Sequence, residues 1–195
     1  MKKGIFYTLF FVVLVSVFYL IVEKWISRND TISEVQDFAL IDQNGKPFTN
    51  KDVEGKVYVA EFFFTTCKAI CPEMNKNMKT VYDEFKDNED FRILSYTCQP
   101  EVDSAAVLKS YANALGVDTK HWIFITGRKD SLYNLARVSY TLDDPLNNLR
   151  NIDDDFLHTQ FWALVNKQGK VKKVYDGLKP SEVNAMIKEI KRMLD

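Results

Sequence analysis

The sequence predicts an α/β fold, a sheet with helices on both faces, and three observations carry that expectation. The apolar run Val57 to Phe64, broken only by Glu61, is rich in β-branched and aromatic residues, as a strand buried on both faces must be. Cys67 and Cys71 follow it, and a helical stripe of Met74, Met78, Val81, Tyr82 and Phe85 follows them. Beyond that point strand-like and helix-like patterns alternate to the C-terminus, which argues for a sheet covered by helices.

Composition sets the bounds. A chain of 195 residues, 46% hydrophobic, allows one full-cored domain plus an appendage. The net charge of −1 leaves no basic face, so nucleic acid is excluded as a partner. Three cysteines are too few for a disulfide scaffold, and the odd count leaves at least one thiol unpaired within a monomer.

The appendage is N-terminal. Lys2 and Lys3 precede Gly4 to Val22, an uncharged stretch of ~19 residues that spans about 28 Å as a helix, close to a bilayer's hydrocarbon core. Tyr19 and Trp25 sit near its far end, as interfacial aromatics do. A cleaved signal peptide is the competing reading, but the run is longer than a usual h-region and no A-x-A site follows. The expected division is a membrane anchor over 1–26, a linker over 27–34 and a folded domain over 35–195. The leading lysines favour a cytoplasmic N-terminus, which places the domain outside. Without an Arg- and Ser-rich transit peptide, a bacterial inner membrane with a periplasmic domain fits best.

Within the domain, Val35 to Ile41 reads as a strand closed by the turn Asp42-Gln43-Asn44-Gly45. After the central strand, Pro72 suits a first helical turn, where its missing N–H is no loss. A thiol at that helix start, Cys71, faces unpaired N–H groups and the positive end of the dipole, which favour thiolate. The alternative is two ordinary core cysteines. Phe91 to Thr97 is a strand; Ser104 to Leu115 is a helix with Ser104 as N-cap and Gly116 past its end. Trp122 to Thr126 is a strand, and Asp130 to Val138 a short helix with Leu132, Leu135 and Ala136 inward. The polar, acidic stretch Tyr140 to Leu157 is either a solvated excursion or a partner-docking loop. Phe161 to Val165 and Val171 to Tyr175 form a hairpin, and Ser181 to Leu194 is a helix burying Val183, Met186, Ile187 and Ile190.

Glu61 to Pro72, EFFFTTCKAICP, resembles the strand and C-x-x-x-C-P motif of the Sco/SenC proteins, from about Val35 to the C-terminus. The resemblance implies a thioredoxin-like fold, a membrane anchor and copper binding in assembly of the binuclear copper site of cytochrome c oxidase. His158, ahead of Phe161, matches the family's distant histidine, so the implied copper ligands are Cys67, Cys71 and His158. The chain departs from the family pattern in Lys68-Ala69-Ile70 between the cysteines, and in Leu157 before the histidine. It also carries Gln99 in place of the first acid of an Asp-Pro-x-x-Asp stretch, while Asp103 keeps the second.

Two thiolates and an imidazole form a soft set suited to Cu(I) and adaptable to Cu(II). Structural zinc wants a fourth ligand, which Cys98 or His121 can supply. His121 reads instead as a surface or packing histidine, and Cys98 as a buried core cysteine, with an auxiliary ligand or resolving thiol as the alternative. The expected function is a copper metallochaperone, not an enzyme, whose partner is the copper-site subunit of an oxidase or another extracytoplasmic copper protein. The competing function is a thiol–disulfide oxidoreductase using Cys67 and Cys71. Against it stand three intervening residues instead of two, and no proline just ahead of the Phe161 strand. A peroxide sensor or scavenger rests on fold resemblance alone.

Overall fold

The computed structural model describes residues 2–29, 31–143, 157 and 159–195, which fall into two compact units, Met1–Thr31 and Ile32–Asp195. The first is helix α1 (Lys2–Asn29). Its large apolar side chains, Phe6, Leu9, Phe10 and Phe18 among them, are exposed. The Thr8 and Ser16 hydroxyls donate to the carbonyls of Gly4 and Val12 at 3.0 and 2.9 Å, so these polar groups are satisfied inside the helix. The expected anchor region is helical; among the described residues no helix is long and apolar enough to cross a membrane.

Among its described residues the second unit holds one sheet and four α-helices. In chain order these are β1 (Ser33–Glu34), β2 (Ala39–Asp42), β3 (Pro47–Thr49), β4 (Val57–Phe63), α2 (Cys71–Phe85) and β5 (Phe91–Thr97). Then come α3 (Ala105–Leu115), β6 (Trp122–Thr126), α4 (Lys129–Asn134), β7 (Phe161–Val165), β8 (Lys170–Asp176) and α5 (Pro180–Leu194). The strand order is β1-β8-β7-β4-β5-β6-β2-β3. The central strands β4, β5 and β6 are parallel, and the hairpin β7–β8 and strand β2 join antiparallel on either side.

Alternation along the central strands fills two core layers. Val57, Val59, Phe91, Ile93, Trp122 and Trp162 pack against Met74 and Met78 of α2, Leu108 of α3 and Met186 of α5. Tyr58, Phe62, Tyr96 and Ile125 face the other way, toward Leu132, Tyr133, Leu135 and Ala136. Helices therefore cover both faces, as the sequence predicts. The turn over residues 135–139 is wider than an α-helix, with the Tyr140 amide reaching the Leu135 carbonyl at 2.9 Å.

The sheet must curl. From β1 on one side of the sheet to β2 on the other is six inter-strand gaps, about 29 Å if flat, yet five residue steps of extended chain reach only about 17 Å. Curling brings the two sides together around the layer holding Phe38 and Tyr96. This crossing explains why the strand expected over 35–41 is instead Ala39–Asp42: the Phe38 amide bonds to Asn50 Oδ1 at 2.7 Å, not to a strand neighbour. Local signals elsewhere act as read. Ser104 Oγ accepts from the Val107 amide, and Gly116 ends α3 at φ 64°, where other residues are strained.

Candidate metal centre

Cys67 and Cys71 lie just past the C-terminal end of β4, where an open α/β sheet places its sites. The loop between β4 and α2 is held from below. Asp103, fully buried, accepts from the Thr65 amide at 3.1 Å, from the Thr65 hydroxyl, and from the Thr97 hydroxyl at 2.6 Å. The Thr97 hydroxyl in turn accepts from the Gln99 amide at 2.9 Å. The acid that the sequence keeps at 103 is thus a clamp on the residues leading to Cys67. Gln99, which replaces the other acid, takes only a long contact from the Thr66 hydroxyl at 3.4 Å.

The thiols divide their labour. Cys67 is half-buried and Cys71, first residue of α2, is buried. Burial alone would push Cys67 up. It is outweighed by a hydrogen bond from the Cys71 thiol and by the amides of Cys71, Ala69 and Ile70, which hold Cys67 below the ordinary thiol range. Burial first, then the bond to Cys67 and the nearby Cys67 and Glu61 charges, push Cys71 up to about 12. This corrects the expectation that Cys71, at the helix start, is the favoured thiolate. The amides leading into the helix point at the sulfur lying outside it, and the Cys71 thiol serves as its donor.

Glu61, the sole charge in the central strand, is buried beneath this pair. Its Oε1 accepts from the Ser95 hydroxyl at 2.6 Å, and Ser95 Oγ accepts from Trp122 Nε1 at 2.7 Å. The Trp162 indole N–H lies near without proper bond geometry, so Glu61 Oε2 and Trp162 Nε1 are both left without a partner among the described residues. Burial, against the pull of Ser95 and Trp162, pushes the Glu61 carboxyl up to about 7. Sequence reading saw Glu61 only as an interruption; an acid inside a fully buried apolar strand was the available signal.

The other expected site residues separate. Cys98 is 1% exposed and packs in the opposite core layer, with burial holding its thiol protonated. His121 is buried at the start of β6, the end of the parallel strands away from the thiols, which fits a packing role. His158 lies outside the described residues, as do 144–156 of the acidic stretch. Among the described residues no three His, Cys, Asp or Glu side chains converge as a metal cluster.

The mixed sheet and the thiol pair at a strand-to-helix junction define a thioredoxin-like protein with a C-x-x-x-C site. The SCO1/SenC family model matches residues 27–195, and the chain belongs to that family. It is 31% identical over 160 residues to the SCO1 protein homolog of Bacillus subtilis, covering 81% of each chain. The structure of BsSco, described as having a disulfide switch and as a member of the Sco family of cytochrome c oxidase assembly proteins, matches with a TM-score of 0.71. Identity there is 29%, over 85% of this chain and 96% of BsSco. The copper-bound structure of Bradyrhizobium japonicum ScoI matches with a TM-score of 0.63 and 25% identity, over 81% of this chain and 99% of that one.

Two outcomes are expected from this chemistry. In the reduced protein, iodoacetamide modifies Cys67 first at pH 7, and Cys71 and Cys98 stay unmodified until the domain unfolds; peptide mapping that finds Cys71 labelled first refutes the assignment. The second concerns stability. The folded state keeps the Glu61 proton up to about pH 7, whereas the unfolded chain releases it near 4.5. Folding therefore binds a proton in that window, and this group's contribution, full below about pH 4.5, is lost as pH rises to about 7. The loss is on the order of 3 kcal/mol. Urea titrations across pH 4.5–8 should show that fall in wild type and not in Glu61→Gln.

Proposed function

We propose that this chain is a membrane-anchored copper metallochaperone that binds copper through Cys67, Cys71 and His158. It delivers copper to, or matures, the binuclear copper site of cytochrome c oxidase, or that of another extracytoplasmic copper protein. The observation that carries the reading is the thiol pair itself: one sulfur, held below the ordinary thiol range by four hydrogen-bond donors, with a second buried beside it on a clamped loop. Two sulfurs so held are soft ligands that favour Cu(I), and an imidazole nitrogen extends the set to Cu(II). Cys71 must release its proton on binding, so metal and proton compete for it. Membership of the SCO1/SenC family and the copper bound in B. japonicum ScoI support the same cargo. In this role no substrate bond is transformed, and copper is what the protein carries.

The membrane reading places residues 1–26 as the anchor, 27–34 as its link to the domain and 35–195 as the copper domain. Its support is the uncharged run in α1, whose described apolar side chains are exposed rather than packed in a core. The N-terminus is then cytoplasmic and the domain periplasmic.

A second reading, thiol–disulfide exchange, has its own observation. A thiol at Cys67 held below the ordinary range, a protonated Cys71 and a buried acid beneath them are the parts of an attacking and resolving pair. The two activities separate experimentally. Full-length protein in detergent, reduced and titrated with Cu(I) and Cu(II) against a calibrated chelator, should take up one copper. Cys67→Ser should lose both ions, and His158→Ala should keep a weak Cu(I) site while losing nearly all Cu(II) affinity. Absence of copper binding in wild type, together with disulfide turnover that Cys67→Ser abolishes, would install the second reading. For topology, reporter enzymes fused after Arg28 should be active only outside the cytoplasm, and cytoplasmic activity refutes the anchor.

A further inference from the structure

The two paired sulfurs belong to different pieces of chain. Cys67 lies in the loop after β4, and Cys71 opens α2. Their thiols nevertheless meet, Cys71 donating to Cys67. A third element, α3 with the residues that start it, is hydrogen-bonded to both pieces.

The first tie holds the Cys67 side. Asp103 is fully buried and immediately precedes Ser104, the cap of α3. It accepts from the Thr65 amide at 3.1 Å and from the Thr65 hydroxyl, two residues before Cys67. The Cys67 amide then closes the turn on the Phe64 carbonyl at 3.2 Å. The second tie holds the Cys71 side. Asn75, one turn on from Cys71, donates from Nδ2 to the Tyr111 hydroxyl on the second turn of α3. The Tyr111 ring is wedged between Phe63 and Phe124, 5.4 and 6.0 Å between centroids, so its hydroxyl is aimed by packing.

The frame between the ties is firm. Leu108 and Ala112 are fully buried and seat α3 on the core layer that also takes Cys71 and Met74. Ser104 caps its start and Gly116 ends it. A hydrogen-bonded helix fixes the distance between points along its length, so what it holds at both places is held at a fixed separation.

We propose that Asp103 and Tyr111 are positioning residues for the thiol pair, and that α3 between them sets the distance from Cys67 to Cys71. The proposal rests on the reading of these cysteines as the working pair, and it explains how a loop sulfur and a helix sulfur share one geometry. A fixed separation raises the effective concentration of one thiol at the other, which favours both chelation of one ion and closure of a disulfide.

The test uses the full-length chain in detergent, without copper, equilibrated with oxidised and reduced glutathione. Cys67 and Cys71 pass two electrons and two protons to the glutathione disulfide; one S–S bond forms, one breaks, and two glutathione thiols result. Peptide mapping gives the fraction closed. Asp103→Ala breaks the first tie outright. Thr65→Val removes only its hydroxyl bond and serves where loss of the buried acid unfolds the domain. Tyr111→Phe breaks the second tie. Each should lower the closure constant about three- to tenfold, the worth of one hydrogen bond. The Thr65→Val/Tyr111→Phe double variant should lose less than the product of the two single losses, because either break alone frees the spacing. Tyr140→Phe is the control: it breaks the buried Tyr96–Tyr140 hydroxyl bond of 2.8 Å in the opposite core layer. It should lower the melting temperature and leave the closure constant unchanged, since lost stability weighs on both redox forms alike. An unchanged constant in Thr65→Val and Tyr111→Phe, an equal fall in Tyr140→Phe, or a double loss equal to the product overturns the frame. So does a wild type that forms no Cys67–Cys71 disulfide. Titration of the same proteins with Cu(I) against a calibrated chelator separates this from the copper reading. If wild type takes up no copper while closure still falls in both variants, the copper reading fails and the frame stands. If wild type binds copper and both variants match it in closure and in Cu(I) affinity, the frame falls alone.

Discussion

The parallel pairing of β4 with β5, in register from Val57 opposite Phe91 to Phe63 opposite Thr97, sets the position of everything chemical in this domain. Seven paired residues bring the two strands to a common end. At that end one chain continues into the thiol loop and the other into Cys98 and Asp103. The Cys98 amide extends the ladder one step further, to the Phe63 carbonyl at 2.7 Å. Asp103 can therefore reach Thr65, and the Tyr133 hydroxyl can bond the Cys98 carbonyl. A one-residue slip would reverse which face each side chain meets and would carry Glu61 and Ser95 out of contact.

Burial and hydrogen bonding, not proximity alone, decide the proton inventory of the site. Cys71 and Glu61 are buried and keep their protons to high pH for acids of their kinds. Cys67, less buried, collects the amides of residues 69 to 71 and is held below the ordinary thiol range. The result is one soft sulfur eased toward ionisation in front of two groups that hold their protons. That arrangement serves metal capture, where the arriving cation displaces a proton, and it serves attack on a disulfide, where a proton must be supplied.

Stability and site share residues. Trp122 and Trp162 fill the core layer beneath α2 and α5, and Trp162 lies near Glu61 directly while Trp122 reaches it through Ser95, so the rings that build the core also surround the carboxyl's partners. Gly177 packs on Trp162 and joins α2 to the residue after Thr159. Changes in this layer will move the site electrostatically even where no ligand is touched.

Much of this was legible in the chain. The buried strand Val57–Phe63, the strands Phe91–Thr97 and Trp122–Thr126, and the capped helix ending at Gly116 follow from periodicity, Ser104 and one glycine, all local quantities. The C-x-x-x-C pair and its place at a strand-to-helix junction are equally local. Other features have no local signature. The crossing of residues 35–38 depends on a sheet that curls, and Pro47–Thr49 becomes a strand only because β2 lies beside it. Which thiol ionises depends on where four donors point, and the helix position of Cys71 suggested the wrong one. Glu61, Asn75 and Asp103 acquire their roles from partners 34, 36 and 38 residues away. Sequence by itself determined the elements and the donor chemistry, because these depend on neighbouring residues. Tertiary structure decided which atoms meet, because burial and hydrogen bonding are set by segments that only folding brings together.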